Sequence, residues 1–94
     1  MKIIKLKKLK NFDYKEALLG LLGNAPENGY TVNDVRMATK AMNVIERAKK
    51  EAELEDAVYN FVKKRINESK YKMAAPELVE FIDDMNRAEE KKAK

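Results

Sequence analysis

The sequence predicts a mainly α fold, a compact bundle of about four helices with one of them short. Three observations lead there. Apolar residues recur at three- and four-residue spacing in four separate stretches, only three Gly and two Pro interrupt 94 residues, and residues suited to a helix start precede most of those stretches. A small two-stranded β-element built from the N-terminus completes the expectation.

The first twelve residues form a basic segment in which Lys alternates loosely with Ile and Leu. Ile4 and Leu6 share one face of a strand, while Ile3 and Leu9 break the alternation, so the segment reads as an edge strand guarded by lysines. Asp13 is placed to cap a helix over Tyr14 to Leu22, where Tyr14, Leu18 and Leu21 form the inward stripe. Gly23 is expected to end it in a left-handed cap. Pro26 and the dipeptide Asn28-Gly29 mark a turn.

Thr31 then caps the clearest helix, from Val32 to Lys50, with Asp34 at the third position after it. Val35, Ala38, Met42 and Ile45 face inward, and Arg47, Lys49 and Lys50 fall near the negative end. Glu51 to Leu54 reads as a connection or a short extended piece, and in the second case it is the local partner for the N-terminal strand. A third helix runs from Glu55 to Glu68, with Leu54, Val58, Phe61, Val62 and Ile66 turned inward. Pro76 opens a fourth through Leu78, Ile82 and Met85. The chain reads as one domain over 1–94, with a helical core over 13–88 and a frayed charged tail over 89–94.

Composition narrows function. At 45% apolar and 38% charged residues, the chain is too apolar for disorder and sufficient for one modest core. It has no Cys and no His, which removes disulfides, thiolate metal sites and the commonest general base. Ser69 is the only Ser, and no nucleophile elbow or phosphate-binding glycine loop surrounds it. No apolar run approaches the ~20 residues of a membrane span, and the N-terminus lacks the apolar centre of a signal peptide. The expectation is a soluble, intracellular, non-enzymatic protein with no cofactor and no membrane partner.

The candidate sites are therefore contact surfaces. Glu77, Glu80, Asp83 and Asp84 fall three and four apart and could offer oxygens to a divalent cation. A solvated acidic helix face is the simpler reading, and no metal is expected. Most aromatic residues lie on apolar stripes and read as core. Tyr30, beside the Asn28-Gly29 turn, and Tyr71, between Lys70 and Lys72, stand apart as exposed contact residues, joined by Met37 and Met73 because Met adapts to partner surfaces. A second class of function, nucleic-acid binding, would use Lys2, Lys5, Lys7, Lys8 and Lys10, with Lys63, Lys64 and Arg65. The net charge of +4 is modest for that role, and no helix-turn-helix spacing accompanies it.

The order of features also carries a resemblance. Asn11-Phe12-Asp13 leads into Glu16-Ala-Leu-Leu-Gly-Leu-Leu22. Asn28-Gly-Tyr-Thr-Val32 opens a helix containing Arg36, Leu54-Glu-Asp-Ala57 opens the next, and Leu78-Val-Glu-Phe-Ile-Asp-Asp84 closes the pattern. In this the chain resembles small proteins of tailed bacteriophages and prophages. The resemblance implies an assembly factor, virion component or modulator of host machinery. Such a protein works in the bacterial cytoplasm or on the virion by contact with a phage protein, a host protein or a second copy of itself. It carries over no binding or catalytic residue.

Overall fold

Residues 1–90 are described by a computed structural model, beginning with a strand β1 at Lys2–Lys5. Two two-residue strands follow, β2 at Lys8–Leu9 and β3 at Phe12–Asp13, before helix α1 at Tyr14–Gly23. Helix α2 spans Val32–Arg47, strand β4 Glu51–Leu54, helix α3 Asp56–Glu68, helix α4 Pro76–Asn86, and strand β5 Glu89–Glu90.

The helices start where their sequence dictates. The Asp13 carboxylate accepts from the amides of Lys15 at 2.9 Å and Glu16 at 3.4 Å, satisfying two of the orphan donors of α1. Thr31 and Asp34 close a reciprocal capping box at the start of α2, with Asp34 N donating to Thr31 Oγ1 and Thr31 N to Asp34 Oδ2. Pro76 occupies the first turn of α4, where its missing N–H costs nothing. Helix ends match less well. Helix α2 stops at Arg47, short of Lys50, because the chain must turn into β4. Gly23 ends α1 in ordinary helical backbone and Asn24 after it is extended, so no left-handed cap forms. Asn24 instead donates its side-chain amide to Gly20 O at 2.6 Å. Positive φ occurs at Gly29, at 80°, in the turn before α2.

The sheet corrects the bundle expectation. Strand β1 is a central strand, flanked on both sides in the antiparallel order β4-β1-β5. Its pairing with β4, Lys2 opposite Leu54 through Lys5 opposite Glu51, is the one the sequence suggested. On its other side Lys2 and Ile3 face Glu90 and Glu89, so the tail expected to fray from residue 89 is ordered through Glu90. Residues 91–94 of that tail lie outside the described residues. Strands β2 and β3 form a separate hairpin that delivers the chain into α1. The β-content is thus a three-stranded sheet plus a hairpin, in place of one two-stranded element.

The core forms where helices meet sheet. Ile4 of β1 and Ala52 and Leu54 of β4 pack with Tyr14, Leu18 and Leu22 of α1 and Ala41 and Ile45 of α2. Val58, Tyr59, Val62 and Ile66 of α3 and Leu78, Phe81 and Met85 of α4 complete it. Strand β4 shows the reason directly: Ala52 and Leu54 turn inward and Glu51 and Glu53 outward, a period of two. Tyr59 Oη donates to Met85 O at 2.6 Å, tying α3 to α4.

Candidate functional site

The end of α1, the start of α2 and the end of α3 meet at one pole of the molecule, and Arg65 is what joins them. Its guanidinium donates from Nε to Tyr30 Oη at 3.0 Å and from Nη1 to Ser69 Oγ at 3.4 Å. Nη2 donates to Leu21 O at 3.1 Å and Asn24 O at 2.8 Å. The Tyr30 hydroxyl donates a hydrogen bond to Leu22 O at 3.0 Å, and its ring centroid lies 5.5 Å from the guanidinium carbon. Arg65 is only 9% exposed. Physically it caps α1 from outside: the last carbonyls of that helix lack amide partners and carry its negative pole, and a cation answers both needs.

Beside this fork lies a concavity of about 590 Å³, lined in part by Leu21, Asn24, Arg65, Ser69, Lys70 and Tyr71. Tyr71 donates its hydroxyl to Ile66 O at 2.8 Å. Burial raises its phenol above the usual value, against the opposing pull of Arg65. Tyr71 is one of several large apolar side chains exposed on this molecule. Val32 is 71% exposed and Met73 63%, with Val35 and Tyr71 also open to solvent.

The sequence-based site residues divide across this geometry. Tyr71 and Met73 are exposed as expected. Tyr30 and Met37 are corrections: both are half-buried, Tyr30 because its hydroxyl bridges Arg65 to α1, and Met37 because it packs on the core. Arg65 is also a correction, since a buried guanidinium bonded to backbone cannot grip a phosphate backbone outside. Lys2 and Lys7 are committed to ion pairs, Lys2 with Glu90 at 2.6 Å and Lys7 with Asp84 at 2.9 Å and Glu80 at 3.5 Å. Lys5, Lys8, Lys10 and Lys64 remain exposed and Lys63 is half-buried.

The acidic residues of α4 separate as well. Glu80 and Asp84 converge on Lys7, and Tyr14 Oη donates to Asp84 Oδ2 at 2.7 Å and Glu80 Oε2 at 3.4 Å. Asp83 is exposed and Glu77 half-buried, and neither joins them. Burial by itself would raise the Asp84 carboxyl. The hydrogen bonds from Lys7 and Tyr14 and the charges of Lys7 and Arg87 outweigh it and hold that carboxyl below its usual value. Burial first, then the bond to Asp84, push the Tyr14 phenol far upward. Among the described residues no group of three or more acidic side chains is placed to hold a metal ion, and no helix is long and apolar enough to cross a membrane.

Sequence reasoning missed two features of the surface. The Arg65 fork had a faint signal in the sequence, an Arg late in the apolar stripe of α3, three residues after Val62 and beside Ile66. The second is a grouping of cations. Leu6 N donates to Lys50 O at 2.8 Å and Lys15 Nζ to Ala48 O at 2.8 Å, which sets Lys49 and Lys50 beside the N-terminal lysines. Comparison with protein-family models, curated proteins and solved structures finds no match to the chain.

Proposed function

We propose that this is a non-enzymatic adaptor or regulatory protein, of the kind tailed phages and prophages encode, that acts by protein–protein contact through the Arg65 pole. One observation carries the reading: large apolar side chains, Val32, Val35, Tyr71 and Met73, stand open to solvent, and Tyr71 among them lines a concavity. Exposed apolar groups gathered near a concave, hydrogen-bonded site are what a partner's side chains bury. The α2 face bearing Val32, Val35 and Thr39 is turned away from the core, whose α2 contacts come from Ala41 and Ile45.

The test is affinity capture from host lysate with and without phage infection, comparing the native chain with Val32→Glu combined with Met73→Glu. Both positions are exposed, so folding is expected to persist unchanged by circular dichroism. Stoichiometric capture of a protein by the native chain and its loss with the double variant is the expected result. Equal capture by both proteins removes the pole as the contact surface.

A second reading, nucleic-acid binding, is favoured by the backbone bond from Leu6 N to Lys50 O, which brings Lys50 to the N-terminal basic segment beside Lys5. Fluorescence anisotropy with duplex and single-stranded DNA or RNA at two salt concentrations tests it. Tight binding that weakens steeply with salt supports it, with a slope of about 0.9 per phosphate neutralised on duplex DNA. Absence of binding at low salt disposes of it.

A further inference from the structure

The turn between α1 and α2 carries the dipeptide Asn28-Gly29, and both residues are exposed. Gly29 sits at φ 80°, a conformation that glycine adopts without strain. A Cβ placed on it would meet nothing within 4 Å beyond its chain neighbours. The Gly29 nitrogen therefore has no side chain of its own, and nothing packed over it, to obstruct the side chain before it. One bond restrains it, from Gly29 N to Pro26 O at 2.8 Å. A turn bond open to solvent contributes little net, so it slows access to that nitrogen by about fivefold and does not close it.

The other asparagines are held differently. Asn33, Asn43, Asn60, Asn67 and Asn86 lie in α2, α3 and α4, where helical backbone turns the following amide away from the side-chain carbonyl. Asn24 donates its side-chain amide to Gly20 O and is followed by Ala25, and Asn11 is followed by Phe12 of β3, so each follower carries a Cβ. We propose that Asn28 is the deamidation site of this protein, converting spontaneously to aspartate and isoaspartate at the wall of the concavity beside Arg65. The Gly29 nitrogen gives up its proton and bonds to Asn28 Cγ, while the Cγ–Nδ2 bond breaks and Nδ2 leaves as ammonia with that proton. Water then opens the cyclic imide at either carbonyl, which restores the N–H of Gly29 and leaves a carboxylate. No electrons are transferred, and water is the only co-reactant. Asn28 lines the concavity, where Arg65 and Lys70 balance Glu27 and Glu68, so the conversion leaves the lining net negative. The inference stands whether or not that pole contacts a partner.

The experiment ages full-length protein at neutral and mildly alkaline pH, beside an end-capped peptide of residues 25–31. Intact mass and peptide mapping follow the conversion, and electron-transfer fragmentation separates aspartate from isoaspartate. Conversion concentrated at residue 28, rising in proportion to hydroxide and giving both products, is expected. Its rate should fall about fivefold below that of the peptide, the worth of one exposed hydrogen bond. Asn28→Gln, whose longer side chain closes a ring far more slowly, should leave residue 28 unchanged over the same period. The position is exposed, so that variant should keep the native circular dichroism spectrum. Conversion at any other asparagine as fast as at residue 28 overturns the assignment. So does a lag behind the peptide of more than about twentyfold, which exceeds what one exposed bond supplies.

Discussion

At Arg65 a single side chain satisfies the end of one helix, the start of another and the end of its own. Arg65→Ala removes donors from Leu21 O and Asn24 O and also the stem that packs beside them. The expected loss is about 3 kcal/mol, read by urea unfolding. Arg65→Lys keeps the charge but not the fork, and is expected to recover only part of that loss. The other residue-level prediction concerns Asp84. Its folded carboxyl titrates below its usual 3.8, so its contribution is present above that value and is lost as pH falls through the folded one. Lys7 and Tyr14 are shifted upward from 10.5 and 10.0, Lys7 chiefly by its hydrogen bond to Asp84 and Tyr14 chiefly by burial. Their contributions are complete below those values and fade as pH rises beyond them. Thermal melting against pH should therefore show a plateau between about 4 and 10. In Asp84→Asn the plateau should be lower and its acid edge shallower.

Among the elements, the helices and the sheet owe their stability to different terms. Helix α2 has its own start signal, so Thr31→Ala should cost about 1 kcal/mol and fray the first turn without touching the core. Strand β1 has no comparable local support: four residues gain order by pairing on both sides and by burying Ile4 completely. Ile4→Ala should cost about 3 kcal/mol by leaving a cavity between sheet and helices. Calorimetry on the two variants gives the ranking, and equal losses would mean that β1 contributes less than its burial implies. The same contrast explains what could be read beforehand. Starts at Tyr14, Val32 and Pro76 were legible because Asp13, Thr31 and Pro76 are local signals. Strand β5 was not, because Glu89 and Glu90 carry no strand propensity and pair only because Lys2 and Ile3 are there.

For the molecule as a whole, the three-stranded sheet joins residues 2–5, 51–54 and 89–90, so both ends of the described chain close on its middle. The two edges are unequal. Strand β5 pairs with two residues of β1, and β4 with four. Truncation after Ala88 should speed exchange of the one amide, of Lys2 or Ile3, that faces β5, while lowering the melting temperature by less than about 5 °C. Deletion of residues 1–6 should abolish cooperative unfolding, since β4 would then have no strand beside it. Amide exchange with calorimetry checks both. A large loss on the first truncation would mean that the edge strand holds the sheet closed.

The sequence by itself determined the four helices and the Asp13 and Thr31 caps, and it suggested the pairing of the first strand with residues 51–54, since these follow from spacing and composition within a few turns of chain. It also picked out Tyr71 and Met73 as exposed. Only the tertiary structure decided that β1 is central, that Lys2 and Lys7 are held by acids from the other end of the chain, and that Tyr30 and Arg65 turn inward. Those outcomes depend on groups 35 to 88 positions apart meeting in space, and periodicity along a helix carries no record of what lies across from it.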